Sequence, residues 1–327
     1  MPHNPQEGIM RMFVVIVTCV FTLAGGTAAA YDVSAVVEKF RQEALMDITE
    51  LNRCATVLDS ALSQAPDENR SPVELAKAAT STMRSKDCFD LFSHVEDANH
   101  PVVWRNTGTF RNPEPQVREV NDNLVITIPT FDMNLVDVGK ALRKQLQAMS
   151  ADWRSFVKRV VVDVRGNGGG EILNLREALE LLAPRAGMDF MRIHFSSGAL
   201  DPSVGRAEYQ TTRAQGPLQN LPIVFLIDRG TMSATEWFVA TSRYEWYSGQ
   251  VTVVGASKTV GKAIFQCKNP VGGFVLQVTC AHWTVAGKDI HGIGIEPDRK
   301  LDLSDCKFDY PCILEKLGLA TVRHASQ

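Results

Sequence analysis

From Asp32 to about Leu62, apolar residues return at helical spacing, Val37, Phe40, Leu45, Ile48, Leu51 and Leu58 among them, so one face is oily and the other charged. The pattern predicts one long amphipathic helix. The stretch "SPVE" at 71–74 then offers Ser71 as a cap, Pro72 at the first helical position and Glu74 three residues on, which opens a second helix. Residues 100–121 are rich in turn formers and read as a connection. Beyond them the pattern changes. "NLVITI" and "RVVVDV" read as strands, and between them "MNLVDVGKALRKQLQAM" reads as a helix carrying Leu135, Val138, Leu142 and Leu146 on one face. A helix from Glu171 to about Leu182, a strand "FMRIHF", the apolar run "LPIVFLI" with its following helix, and a strand "VTVVG" continue the alternation. Such alternation predicts a mostly parallel sheet with helices packed on it. Residues 196–220 show no clear period and read as a surface loop or a flap. After Lys262, "AIFQCKNPVGGFVLQVTCAHW" reads as a β-hairpin turning at Gly272 and Gly273.

With 327 residues, 45% of them hydrophobic, the chain can bury a substantial core in one large domain or two smaller ones. A net charge of −3 supplies no global field to recruit nucleic acid or an anionic membrane, so any partner must be recognised locally. The first thirty residues differ in kind. "MFVVIVTCVFTLAGG" is a short apolar block after Arg11 and before "TAAA", whose Ala28 and Ala30 form an A-x-A cleavage site ahead of Tyr31. Residues 1–30 therefore read as a secretory signal peptide, with periplasmic or extracellular export expected and an uncleaved membrane anchor as the alternative. Removal of that segment leaves six cysteines, an even number suited to disulfides in an oxidising compartment. Proximity favours Cys54 with Cys88, Cys267 with Cys280 and Cys306 with Cys312; the alternative is a set of reduced core cysteines. No C-x-x-C pair suggests zinc.

Two stretches point to chemistry. "VVVDVRGNGGGE", residues 160–171, runs from a buried strand through glycines into a helix, exposing backbone N–H groups at the helix start. It fails as a dinucleotide fingerprint, because Glu171 stands where the last glycine is needed, and as a P-loop, because no G-K-[ST] follows. A tight structural turn and a cradle for a transient oxyanion remain. The second stretch is "DRGTMSATEWF", residues 228–238, which brings Ser233 from a strand into the first turn of a helix. Ser233 reads either as a helix cap or as a nucleophile. There is no G-x-S-x-G elbow around it, and the histidines lack motif context, but "GASKTVGKAIFQ" at 255–266 supplies lysine as a candidate base.

Taken together, "DVRGNGGG", "DRGTMSATE", "VGASKTVGKAIFQ" and "AGKDIHGIGIEPD" resemble, in order and context, the C-terminal processing peptidases, also called tail-specific proteases. The resemblance spans roughly residues 122–299. It implies an α/β fold with a crotonase-like (ClpP/crotonase) peptidase core, here following an N-terminal helical region. It also implies a serine peptidase that needs no cofactor and acts on protein or peptide substrates. By position, Ser233 matches the family's nucleophile, Lys262 its general base and Gln266 the glutamine that hydrogen-bonds the lysine. Gly169 and Ala234 match the oxyanion-hole donors, and Lys258 precedes the catalytic position.

Two departures stand out. Twenty-nine residues separate Ser233 from Lys262 against the family's usual twenty-five, so "TSRYEWYSGQ" is expected to extend the helix or its turn. Residues 100–122 are too short for the substrate-gripping PDZ domain that most members carry. The expected organisation is a signal peptide at 1–30, a helical region at 31–99, a connection at 100–121, a peptidase core at 122–300 and a C-terminal extension at 301–327. An exported serine endopeptidase follows as the expected function, with an inactive binding or scaffold protein as the alternative. An activating or adaptor protein is a further possible partner, and the oligomeric state is open.

Overall fold

A computed structural model describes residues 31–44, 46, 48–63, 71–88, 93–99, 113–195, 207–247 and 249–320. The signal-peptide segment, much of the 100–121 connection and the first part of the 196–220 stretch lie outside the described residues. Among those described, no helix is long and apolar enough to cross a membrane.

The chain opens with helices α1 (Val33–Glu43), α2 (Ile48–Ser63) and α3 (Pro72–Ser85), followed by strand β1 (His94–Asp97). The single long helix expected from the periodicity is in fact two. Ala44 leaves α1 with extended backbone, φ −66° and ψ 130°. The break lets the two apolar faces point different ways: Val36 and Phe40 join the packing on the C-terminal hairpin, while Leu51, Ala55, Leu58 and Leu62 meet α3. At α3 the capping box forms as its sequence requires, Glu74 accepting from the Ser71 N–H at 3.0 Å and Ser71 Oγ from the Glu74 N–H at 3.4 Å.

The central sheet contains β2 (Gln116–Val120), β3 (Asn123–Thr127), β4 (Arg159–Asp163), β7 (Ile223–Leu226), β8 (Val251–Gly255) and β11 (Arg299–Lys300). Their spatial order is β11-β8-β7-β4-β3-β2, parallel throughout except for the antiparallel edge strand β2. Alternation along each strand assigns two cores. Leu124, Ile126, Val160, Val162, Ile223, Phe225 and Val253 face one layer, whereas Val125, Val161, Leu226 and Val254 face the other. The first layer holds α4 (Val138–Ala148), α6 (Ile172–Leu182) and α7 (Ala234–Ala240); the second holds α8 (Tyr310–Lys316). Helix α4 begins later than the hydrophobic pattern suggests. Asp137 caps it by accepting from the Lys140 N–H at 2.9 Å, and Leu135 stands outside, half exposed. A short helix, α5 (Trp153–Phe156), precedes β4.

A second, antiparallel sheet forms around the expected C-terminal hairpin. Its spine is β10 (Phe274–Thr284), paired along one edge with β9 (Ile264–Val271). Along the other edge β10 pairs first with β1 and then with β5 (Asp189–Phe195), which carries β6 (Ala207–Thr211). Strand β5 was expected in the parallel sheet. It differs from "RVVVDV" in not being apolar throughout: Phe190 and Ile193 are buried but Arg192 is exposed, and a register shift between Asp189 and Met191 interrupts its pairing with β6, features that suit an antiparallel sheet better than the buried centre of a parallel one. Strand β6 likewise replaces part of the expected polar loop. The β9–β10 turn falls at Gly272 and Gly273, both with positive φ, as a tight two-residue hairpin needs.

All seven residues of α7 are buried because the helix lies between the two sheets, with Trp237 stacked on Trp283 of β10 at 4.7 Å. A π-helical segment, Thr241–Trp246, continues it, so the helix extends through the start of "TSRYEWYSGQ" as expected. Three disulfides join Cys54 to Cys88, Cys267 to Cys280 and Cys306 to Cys312, with Cα–Cα separations of 5.3, 5.6 and 5.6 Å. The first ties the end of α3 to α2. Replacing both Cys54 and Cys88 by serine is expected to lower stability by about 2–4 kcal/mol, measured by urea unfolding under non-reducing conditions.

Candidate active site

Strand β4 ends at Asp163, and the chain turns through Arg165 and Gly166 into the glycine run. Asn167, fully buried, fixes that run from inside: its Nδ2 donates to the Ile128 carbonyl, its Oδ1 accepts from the Gly169 N–H and its carbonyl accepts from the Met232 N–H, at 2.9, 2.9 and 3.1 Å. Two of the glycines are required by space and by φ. A Cβ on Gly169 (φ 98°) would lie 2.8 Å from Ser233 Cβ and 3.1 Å from the Ala234 nitrogen, and one on Gly170 (φ 143°) would overlap the Phe131 carbonyl carbon at 2.2 Å. Gly169, Ser233 and Ala234 thus share one contact.

The turn carrying Ser233 is stitched to the glycine turn. Asp228 Oδ1 accepts from the N–H groups of Gly166 and Gly230, each at 2.8 Å, while buried Thr231 donates from Oγ1 to the Val164 carbonyl at 3.1 Å. Parallel pairing of β4 and β7 places both turns at the carboxyl edge of the sheet, where open α/β folds build their sites. Ser233 itself has φ 57° and ψ −124°. Helix caps ordinarily take extended backbone, so this conformation departs from a simple cap and costs a non-glycine residue about 1–3 kcal/mol.

Glu236 connects this turn to the lysine. It is fully buried at the third position of α7. One carboxylate oxygen accepts from the Ser233 N–H at 2.9 Å and the Lys262 N–H at 2.7 Å; the other accepts from the Gly261 N–H at 2.6 Å and from Thr259 Oγ1. The backbones of Ser233 and Lys262 therefore meet on a single oxygen. Thr259 passes the connection on by accepting from the Ile295 N–H at 2.8 Å. Lys262 is partly buried, whereas Lys258 is exposed.

Gln266 lies on β9, where its Nε2 donates to Thr279 Oγ1 at 2.8 Å and its Oε1 accepts from Gln277 Nε2 at 3.0 Å. The carboxamide is thus held by β10, one position before the Cys267–Cys280 bridge. A cavity of about 620 Å³ opens between α1 and the hairpin, lined by Phe40, Ile264, Val278, Thr279, His282 and His291 among others, and Ile264 brings it within two residues of Lys262. Among the described residues, the two groupings with metal-ligand spacing are Glu43 with Cys267 and Cys280, and Glu50 with Cys54 and Cys88. Both use disulfide-bonded sulfurs.

At the foot of the glycine turn, Asp163 is fully buried and accepts from the Arg165 N–H and Nε at 3.2 and 2.9 Å, from Arg165 Nη2 at 2.6 Å and from the Tyr310 hydroxyl at 3.2 Å. Burial and the nearby Asp163 charge push the Tyr310 phenol well above its ordinary range, keeping it a protonated donor. Burial opposes the Arg165 charge, but the Asp163 hydrogen bonds and charge outweigh it and raise the guanidinium above its usual value.

Sequence reading singled out Ser233, Lys262 and the glycines but missed the side chains that assemble them: Asn167, Asp228, Thr231, Thr259 and the tethering role of Glu236. Glu236 carried a visible signal, three residues after Ser233 in capping-box spacing. Its other three donors come from residues 259–262, which no local pattern links to it.

Strain at position 233 predicts that Ser233→Gly is more stable than Ser233→Ala by about 1–3 kcal/mol in denaturant unfolding. Glu236→Ala strands buried donors and is expected to destabilise by about 3 kcal/mol or more, with Glu236→Gln milder because its amide oxygen still accepts.

Residues 122–301 match peptidase family S41. The chain is 27% identical over 195 residues to a chloroplastic C-terminal processing peptidase of Tetradesmus obliquus, an alignment covering 59% of this chain and 38% of the relative. It is 29% identical over 183 residues to a probable CtpA-like serine protease of Staphylococcus haemolyticus, covering 55% of this chain and 34% of the relative. The chain thus spans little more than a third of the length of these curated relatives. Among solved structures, a lipoprotein from Streptococcus agalactiae superposes with a TM-score of 0.61 at 15% identity, covering 86% of this chain and 92% of that one, a likeness of fold. With more than half of its length matched, and with the glycine turn, the serine turn and the lysine segment all inside the matched region, the chain belongs to peptidase family S41.

Proposed function

We propose that the protein is an exported serine endopeptidase in which Ser233 is the nucleophile and Lys262 the general base. The carrying observation is the convergence on Ser233: a side chain held in costly backbone, Gly169 packed against it, and the lysine backbone on the carboxylate oxygen that binds the serine's own N–H. In this reaction the uncharged Lys262 amine takes the Ser233 proton as Oγ attacks a peptide carbonyl, forming a tetrahedral intermediate. The leaving amine departs with a proton returned from Lys262, and water then cleaves the acyl-enzyme by the same base. Ala234 opens α7, so its N–H has no acceptor within the helix and is available to the oxyanion. The Gly169 N–H is held by Asn167 Oδ1 and serves the oxyanion by exchanging that partner. Gln266 contributes by fixing β9 behind the lysine.

Export is supported by the signal-like first thirty residues and by three disulfides, which persist in oxidising compartments. Processing of protein C-termini is proposed from the named relatives, and substrate gripping by surfaces of this chain itself from the short connection before residue 122. A fluorophosphonate probe is expected to label the wild-type protein and neither Ser233→Ala nor Lys262→Met, and the labelling rate should rise with pH as the lysine loses its proton. Absence of labelling at every pH would overturn the peptidase assignment in favour of a binding or scaffold role. Comparison of exported proteins in cells with wild type and Ser233→Ala, read for new C-termini, identifies the substrates.

A further inference from the structure

We infer that the C-terminal segment around α8 is a clamp on the glycine turn, with Tyr310 and Arg165 acting as positioning residues for the oxyanion cradle; this rests on the peptidase reading above. The segment lies beyond residue 301, where the family match ends. Its contacts nevertheless reach the residue that opens the cradle. Arg165 Nη2 donates to the Lys307 carbonyl at 2.7 Å as well as to Asp163, and the guanidinium stands 5.3 Å from the centre of the Phe308 ring. Tyr310 donates to the same Asp163 oxygen that accepts from Arg165 Nη2 and also hydrogen-bonds Thr127 at the end of β3. Asp163, the last residue of β4, thus has both oxygens matched and no exposed surface.

These polar contacts are not needed to dock the helix. Ile313, Leu314 and Leu317 already bury α8 against Val125, Val161 and Leu226, an apolar interface sufficient to hold it on the sheet. A buried ion pair of this kind is weak evidence for stability, since apolar residues of similar volume often serve as well. Its geometric consequence is specific. Gly166 follows Arg165 directly, and Gly166, Gly169 and Gly170 all have positive φ, so the turn has few side chains with which to fix itself. Asn167 holds its middle, Phe131 its far end and Asp228 the Gly166 N–H; Arg165 and, through Asp163, Tyr310 hold the residues that lead into it. Loss of that anchor loosens the turn at its start while Asn167 and Phe131 still hold Gly169, and the displacement passed on to Gly169 is felt in the transition state more than in substrate binding.

The test uses the full-length protein with fluorescein-labelled casein, a fluorophosphonate probe and amide hydrogen exchange. Tyr310→Phe keeps the ring and removes the hydroxyl; Arg165→Lys keeps a charge but cannot reach carboxylate and carbonyl together in the forked geometry. Both are expected to lower kcat about tenfold with KM within twofold, and to speed exchange in residues 164–170 at least tenfold. Ile313→Ala, which weakens the apolar docking but keeps the Tyr310 hydroxyl and Arg165, should lower the melting temperature while changing kcat and the exchange of residues 164–170 less than Tyr310→Phe does. Unchanged exchange across 164–170 in folded Tyr310→Phe and Arg165→Lys overturns the clamp whether or not the protein is active. Failure of the wild type to label, with exchange altered as expected, overturns the peptidase reading and leaves the clamp standing as a structural device.

Discussion

One buried carboxylate organises the centre of this molecule. Glu236 receives donors from the serine turn on one side and from residues 259–262 on the other, joining segments that the sequence separates by more than twenty residues. A carboxylate removed from water is tolerated only when its lone pairs are matched, and here both oxygens are. That requirement makes the geometry mutual. The serine turn cannot move without abandoning the acceptor that also holds the lysine backbone, so the proposed nucleophile and base share a common mount.

The sheets explain why this mount lies where it does. Parallel pairing of β4, β7 and β8 brings the loops that follow them to one edge, while the antiparallel hairpin β9–β10 closes over α7 from the opposite side. Helix α7 is consequently buried along its whole length, and Trp237, Trp283 and Phe265 form an aromatic block behind the proposed site. Such packing allows position 233 to retain an unfavourable backbone. Strain of this kind persists only where the surroundings over-determine it, which links the rigid interior to the proposed chemistry.

Asp163 repeats the device at the other end of the site. It pairs with Arg165 inside the glycine turn and with Tyr310 on α8, so a segment far along the chain bears on the backbone beside Ser233. Asp228 and Asn167 work similarly over shorter distances, each satisfying N–H groups that a glycine-rich turn leaves without secondary structure to bind them. The proposed cradle is thus built largely from backbone, with buried polar side chains as its fasteners.

Local pattern alone determined a good deal: the capped start of α3, the buried strands β3, β4, β7 and β8, the glycine hairpin turn, the three nearest-neighbour cysteine pairs, and the serine, lysine and glycine motifs. These depend on residues close together in the chain, through propensity, periodicity and short loop closure. Tertiary structure decided the division of the first helix, the assignment of β5 and β6 to a second sheet, and the placement of Leu135 outside α4. It also decided the roles of Glu236, Asn167 and Tyr310. A side chain's acceptors and its layer are fixed by which distant segment packs beside it, and a one-dimensional pattern does not contain that neighbour.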